Sequence, residues 1–176
     1  MGSENIESTA QYFPDIYEFE EFNDFSDEPP ALSEWGLKKI AQLQIKLEQL
    51  QSIKDSKSYF GAKYNMHNFS RNELYGLANE VFGFNGWSTK ISNYNINDVP
   101  SDDESRFSAI CQVTVELFLK DGTFKDGSGV GEALNLPFKY QCYEKAKKEA
   151  VTDAIKNAIL GLREVYYEYE LKLEHN

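Results

Sequence analysis

Phe107-Ser108-Ala109-Ile110-Cys111-Gln112-Val113-Thr114-Val115-Glu116-Leu117-Phe118-Leu119, followed by Lys120-Asp121-Gly122-Thr123-Phe124, is the stretch from which the architecture can be read. Phe107, Ala109, Cys111, Val113, Val115 and Phe118/Leu119 nearly alternate with polar positions, the period of a strand with one buried face. Asp121-Gly122 is the residue pair of a type I′ hairpin turn, which predicts a second strand starting at Thr123-Phe124-Lys125. Gly127-Ser128-Gly129-Val130-Gly131 continues it as a glycine-lined strand that another backbone can approach closely. Upstream, Trp87 to Asn95 alternates well enough for a third strand. It enters from the turn signal Asn85-Gly86 and gives way to an acidic loop with Asp98, Pro100, Asp102, Asp103 and Glu104.

Helical patterns flank these strands. From Ser33 to about Ile53, Trp35, Leu37, Ile40, Leu43, Leu47 and Leu50 recur at threes and fours behind a capping serine. The stripe is too short to argue a coiled coil, so a helix packed on its own domain is expected. Asn72 to Phe82 reads as a second helix closed by Gly83. Tyr140 to Leu162, rich in Ala, Lys and Glu, reads as a long third helix, and Val165 to Leu173 as a short final one. Strands grouped between helices define an α+β class.

The chain has 176 residues, a single-domain length with room for a core, and a formal net charge of −11. Such a balance argues against phosphate binding. The acidity is uneven, however. Residues 1–30 hold nine acids and no Lys or Arg, which leaves the other 146 residues at a net of −2. That first segment is poor in aliphatic residues, carries six Tyr and Phe side chains and ends at Pro29-Pro30. It is expected to be a disordered acidic tail, with residues 31–176 as one folded domain. Acidic-aromatic segments also dock on partner grooves, and a solvated tail is the plainer expectation.

Cys111 and Cys142 cannot staple a scaffold and suit a reducing compartment. His67 and His175 lack Cys partners at ligand spacing, so no metal and no other cofactor is expected. No apolar run approaches about 18 residues and no basic-then-apolar leader is visible, so a soluble intracellular protein, neither membrane-spanning nor secreted, is expected. The glycine run 127–131 lacks the Lys-Ser/Thr of a phosphate loop, and Glu132 stands where the dinucleotide fingerprint needs Gly. Asp102-Asp103 reads as a solvated loop rather than an acid–base pair. No catalytic constellation emerges, and an enzyme is not expected.

The long helix carries more. At about 100° per residue, Lys145, Lys148, Thr152, Lys156 and Arg163 share an arc of about 80°, with Ala150, Val151, Ala154, Ala158 and Leu162 turned away toward a sheet. Lys139 to Arg163 has six bases against three acids. On charge alone this is a weak nucleic-acid signal, and a solvated face with i,i+4 pairs such as Lys145–Glu149 is the preferred account of it.

Residue order adds what charge does not. Leu77-Ala78-Asn79-Glu80-Val81-Phe82-Gly83-Phe84-Asn85-Gly86-Trp87, then Leu119-Lys120-Asp121-Gly122-Thr123, then Glu144-Lys145-Ala146-Lys147-Lys148-Glu149-Ala150-Val151-Thr152-Asp153-Ala154 resemble the Rad fifty-two family of single-strand annealing proteins. The similarity covers roughly residues 33–170. Ala31-Leu32-Ser33-Glu34-Trp35 and Tyr167-Glu168-Tyr169-Glu170-Leu171 look closer to its shorter Rad fifty-nine members, without the long C-terminal region of the larger ones. The resemblance implies an antiparallel three-stranded sheet with a long helix packed across it (a β-β-β-α core), flanking terminal helices, and assembly into rings. It also implies a basic groove that holds single-stranded DNA by its backbone while the bases stay free to pair.

By position, the resemblance makes Lys148 and Lys156 groove contacts and Lys63 the match of a groove arginine. Arg106 matches a basic residue of a second DNA site, with Lys139 nearby and Lys145 on the groove face. Asn157 and Leu160 stand where annealing proteins carry cations, and Pro137 where the second site has lysine. Asn79, Phe82, Asn85 and Trp87 match the family but are assigned to packing and turn geometry. The expected function is non-enzymatic double-strand break repair in the nucleus: binding single-stranded DNA and promoting annealing alongside a longer paralogue, with possible self-association. The alternative is an interaction subunit that scarcely touches DNA and modulates the paralogue's ring.

Overall fold

The computed structural model describes residues 32–57, 69–100 and 105–174. They form α1 (Glu34–Lys57), α2 (Arg71–Phe82), β1 (Trp87–Val99), β2 (Phe107–Leu119), β3 (Phe124–Leu136) and α3 (Lys139–Glu174). The three strands make one antiparallel sheet in the order β1-β2-β3. The expected α+β class holds, with the long helix laid across the sheet.

β2 matches its predicted span, and its alternation buries Ala109, Cys111, Val113, Val115, Leu117 and Leu119 on one face. α3 covers that face. Every fourth residue of α3 from Cys142 (Cys142, Ala146, Ala150, Ala154, Ala158, Leu162) is buried, and opposite them run Gly127, Gly129 and Gly131 of β3. A methyl group at Gly129 would be driven into the Ala154 N and Ala150 O atoms, and one at Gly131 into Ala146 O. Four helical residues rise about 6.0 Å and two strand residues about 6.6 Å, so the alanine and glycine rows stay in step for several repeats. The run 127–131 is therefore the glycine-lined strand its spacing predicts.

α1 and α2 pack beside this unit. α1 buries Ile40, Leu43 and Leu47, as a helix docked on its own domain should. Ser33 caps it, accepting the Gly36 N–H at 2.9 Å. The same hydroxyl donates to Asp121 at the β2–β3 tip, where Lys120 lies 4.4 Å from the Trp35 ring centre. Asp121 also accepts the Thr123 N–H at 3.1 Å. Burial presses the Asp121 carboxyl upward, but the Ser33 and Thr123 hydrogen bonds outweigh it and hold the group below its usual range. α2 begins in a capping box, Ser70 with Glu73, and ends at Gly83 with φ 83°. The Trp87 Nε1–H donates to Asn79 Oδ1 at 2.9 Å, which ties the helix to β1 and gives both residues the packing role expected of them.

Three expectations need correction. The hairpin is not type I′, which requires positive φ at both Asp121 and Gly122, and only Gly122 (φ 88°) has it. Instead Gly122 N–H closes a turn on Leu119 C=O (3.0 Å), and Leu119 N–H reaches Thr123 C=O (2.7 Å), the pattern of a longer hairpin loop with a glycine bulge. β1 does not stop at Asn95. Past an irregularity at Ile91/Asn93 it pairs on to Val99, so Asp98 belongs to the sheet opposite Ala109 and not to the acidic loop. The short final helix is no separate element, because α3 runs unbroken through Gly161 to Glu174.

Two glycine substitutions test this packing by urea denaturation. Gly129→Ala is expected to lower the unfolding midpoint by the equivalent of about 1–3 kcal/mol, since α3 must lift from the sheet. Gly76→Ala, in an open position of α2, is expected to raise stability by about 0.5–1 kcal/mol.

Candidate nucleic-acid interface

α3 is held to the sheet by one face, which leaves its outer face free. Lys145 and Lys148 are exposed there and Lys156 is half-buried. Together with Val130, Glu149, Thr152 and Asp153 they line an open groove of about 490 Å³ between α3 and β3. Thr152 donates its hydroxyl to the Lys148 carbonyl at 2.8 Å. Asp153 turns toward β3 and accepts the Val130 N–H at 3.4 Å, and Asn157 donates to the Ser128 carbonyl at 2.8 Å. These two side chains occupy outward-facing backbone groups of an edge strand that would otherwise be open. Asn157 thus acts as a clasp between helix and sheet at a position where the resemblance leads one to expect a cation.

Several other lysines are engaged elsewhere. Lys38 pairs with Glu34, Lys46 with Glu80, Lys54 with Glu73, Lys90 with Glu116, Lys125 with Glu164 and Lys139 with Asp98. Lys147 sits over the Tyr94 ring at 4.9 Å. Lys145, Lys148 and Lys156 have no such partner among the described residues, and the i,i+4 pair Lys145–Glu149 does not form. Three lysines without an ion-pair partner among the described residues thus lie along about 16 Å of helix, with Glu149 and Asp153 on the same groove.

Arg106 and Lys139 lie away from this groove, where β1 ends and α3 begins. Arg106 donates to the Asn135 carbonyl at 3.1 Å, Asn135 itself holding φ 55°. Lys139 contacts Asp98 at 2.6 Å, and the Tyr143 hydroxyl donates to the same carboxylate at 2.7 Å. The structure therefore brings Lys145, Lys148 and Lys156 together and leaves Arg106 and Lys139 in a second cluster. Lys63 falls outside the described residues. Arg71, whose position the sequence did not single out, comes beside Lys147, a residue of the family-like motif, on the other flank of α3.

Cys111 and Cys142 are both buried. Cys142 Sγ donates to the Phe107 carbonyl at 2.8 Å, and burial pushes the Cys111 thiol up. Both are packing residues. Among the described residues no group of three or more His, Cys, Asp or Glu could hold a metal, and no helix is long and apolar enough to cross a membrane.

The domain is of the α+β class in which one long helix lies across a three-stranded antiparallel sheet, here with three lysines and the acids Glu149 and Asp153 along an open groove on its outer side. Comparison with known proteins then gives the family. Residues 39–176 match the profile of the Rad52/22 family double-strand break repair proteins. The DNA repair protein RAD59 of Kluyveromyces lactis is 36% identical over 171 residues, covering 92% of this chain and 78% of that protein. RAD59 of Saccharomyces cerevisiae is 30% identical over 177 residues, 92% and 71% of the two chains. The DNA repair and recombination protein rhm52 of Pyricularia oryzae is 38% identical over 139 residues, which is 78% of this chain but only 25% of that one. The chain belongs to the Rad52/22 family and is a DNA repair and recombination protein, one of a family of non-enzymatic recombination mediators in which membership implies DNA binding.

The second cluster makes a pH prediction. Hydrogen bonds from Lys139 and then Tyr143 hold the Asp98 carboxyl below its ordinary value. A depressed carboxyl stabilises the fold above its unfolded value, and that contribution is lost as pH falls through the folded one. An NMR titration should place the Asp98 midpoint below that of a free aspartate, and Lys139→Ala should raise it. An unshifted midpoint would show that the pair does not persist in solution.

Proposed function

We propose that residues 31–176 act as one domain that binds single-stranded DNA through its sugar–phosphate backbone in the Lys145/Lys148/Lys156 groove. The observation that carries this reading is that these three lysines share one groove and form no ion pair among the described residues, whereas six other lysines are each held by a carboxylate, although Glu149 and Asp153 border the same groove. Contacts of this kind neutralise phosphates and leave base edges unread, which is what annealing of complementary strands requires. The family relationship supports a role in homologous recombination in the nucleus, beside a longer family member and within a ring.

Three phosphate contacts imply modest binding. At about 0.7 per contact, the log–log salt slope for a single strand would be about −2, or about a 20-fold loss between 50 and 200 mM salt. Such dependence suits an auxiliary protein better than a strong stand-alone annealer. The clasp formed by Asn157 and the half-buried position of Leu160 also favour the second reading, an interaction subunit whose main contacts are with the paralogue's ring.

Fluorescence anisotropy with a labelled oligonucleotide across a salt series separates the two. Lys148→Ala/Lys156→Ala is expected to flatten the slope by about 1.4, equally for all base sequences. If the intact chain shows no salt-dependent binding even at low salt, or the double variant keeps the full slope, the interaction-subunit reading prevails.

A further inference from the structure

α3 has a second groove on its other flank. It encloses about 360 Å³ between α3 and the start of α2, floored by Val151 and Ile155 and bordered by Arg71, Lys147 and Lys148, with Glu144 the one acid on its rim. Lys148 and Thr152 border both grooves, so the two meet across the crest of α3. Neither Arg71 nor Lys147 has a carboxylate partner among the described residues. Each lies over an aromatic ring instead, Arg71 at 4.9 Å from the Tyr75 centre and Lys147 at 4.9 Å from the Tyr94 centre. A ring orients a cation without cancelling its charge. Tyr94 projects from β1 on the same face as buried Val113, its partner in register, yet is 56% exposed because α3 packs mainly on β2 and β3 and reaches β1 only through side chains such as Lys147 and Tyr143.

Two cations without carboxylate partners on the rim of this groove, and the exposed Tyr94 ring beside Lys147 just outside its lining, match a ligand with both phosphates and flat apolar faces. We infer that a single strand lying along Lys145, Lys148 and Lys156 crosses α3 at Lys148 and Thr152 and continues into this second groove. There Arg71 and Lys147 hold phosphates, and the Tyr94 ring supports a base by stacking, which tolerates any base. The inference rests on the proposed backbone-binding role of the first groove and extends it: the site is longer than one helix face, and its far end grips bases as well as phosphates.

Oligonucleotide length separates the two grooves. Binding of thymidine oligonucleotides of about 4 and about 12 nucleotides to the full chain is compared by anisotropy, with far-UV circular dichroism confirming that each variant is folded. Arg71→Gln/Lys147→Gln is expected to leave the short oligonucleotide unaffected and to flatten the salt slope for the long one by about 1.4. Tyr94→Ala is expected to weaken the long one about fivefold or more with its slope unchanged, since stacking releases no counterions. Arg71→Lys, which keeps the charge, should retain the wild-type slope. If Lys148→Ala/Lys156→Ala flattens the slope for both lengths while Arg71→Gln/Lys147→Gln changes neither, the extension is wrong and the first groove stands alone. Equal loss at both lengths in the Arg71/Lys147 variant would also overturn it, because the second groove would then be the primary site. No salt-dependent binding at any length would overturn both.

Discussion

The domain depends on how closely α3 approaches β3. Gly127, Gly129 and Gly131 have no side chains to hold the helix away, and Ala146, Ala150, Ala154 and Ala158 present only methyl groups. Backbone therefore meets backbone over several repeats, and dispersion contacts accumulate without the side-chain entropy that ordering longer residues would cost. A helix held this way is located by steric fit along its length. Its outer face becomes a straight rail, and side chains at a helical spacing on that rail keep their relative positions before any ligand arrives.

The electrostatics follow from the same geometry. Most lysines away from the rail sit beside a carboxylate, and exposed pairs of this kind add little to stability. What they do change is the surface potential, because six cations elsewhere are each cancelled by a carboxylate while Lys145, Lys148 and Lys156, like Arg71 and Lys147 on the other flank of α3, are not. The −11 total is therefore no guide to what the groove attracts. Asn157 and Asp153 show the balance struck on the inner side of the rail, where the polar side chains that could extend the groove instead close the edge of β3. That protects an edge strand and limits the number of phosphate contacts.

Much of the fold was legible because period and burial coincide. β2 alternates over its whole span, α1 carries a stripe at threes and fours, and the glycine run reads correctly once a close neighbour is assumed. α2 starts at Arg71, one residue before the Asn72 start its apolar pattern predicts, because a Ser70–Glu73 capping box that the pattern does not record sets its first turn. The hairpin loop was misread because Asp121-Gly122 favours type I′ only in isolation. In the folded chain Asp121 also serves Ser33, and Gly122 alone takes the left-handed conformation. The sequence pattern ends the long helix at Leu162, next to Gly161, and starts a separate helix at Val165. The helix runs through Gly161, since Ile159 and Leu162 are buried on either side and Lys125 and Glu164 join across it, enough to offset a glycine cost of about 1 kcal/mol.

The candidate site divides along the same line. Sequence alone determined the fold class, the helix that carries the cations, the arc they share and the family resemblance, because each depends on local period or residue order. Only the tertiary structure decided which cations are free, that Asn157 clasps β3, that Arg106 and Lys139 form a separate cluster, and that Arg71 of α2 comes beside Lys147 of α3. Those outcomes turn on contacts between residues far apart in the chain. Asp98 and Lys139, or Arg71 and Lys147, become neighbours only when α3 is drawn down onto the sheet, and no local pattern records which opposite charges that movement will bring together.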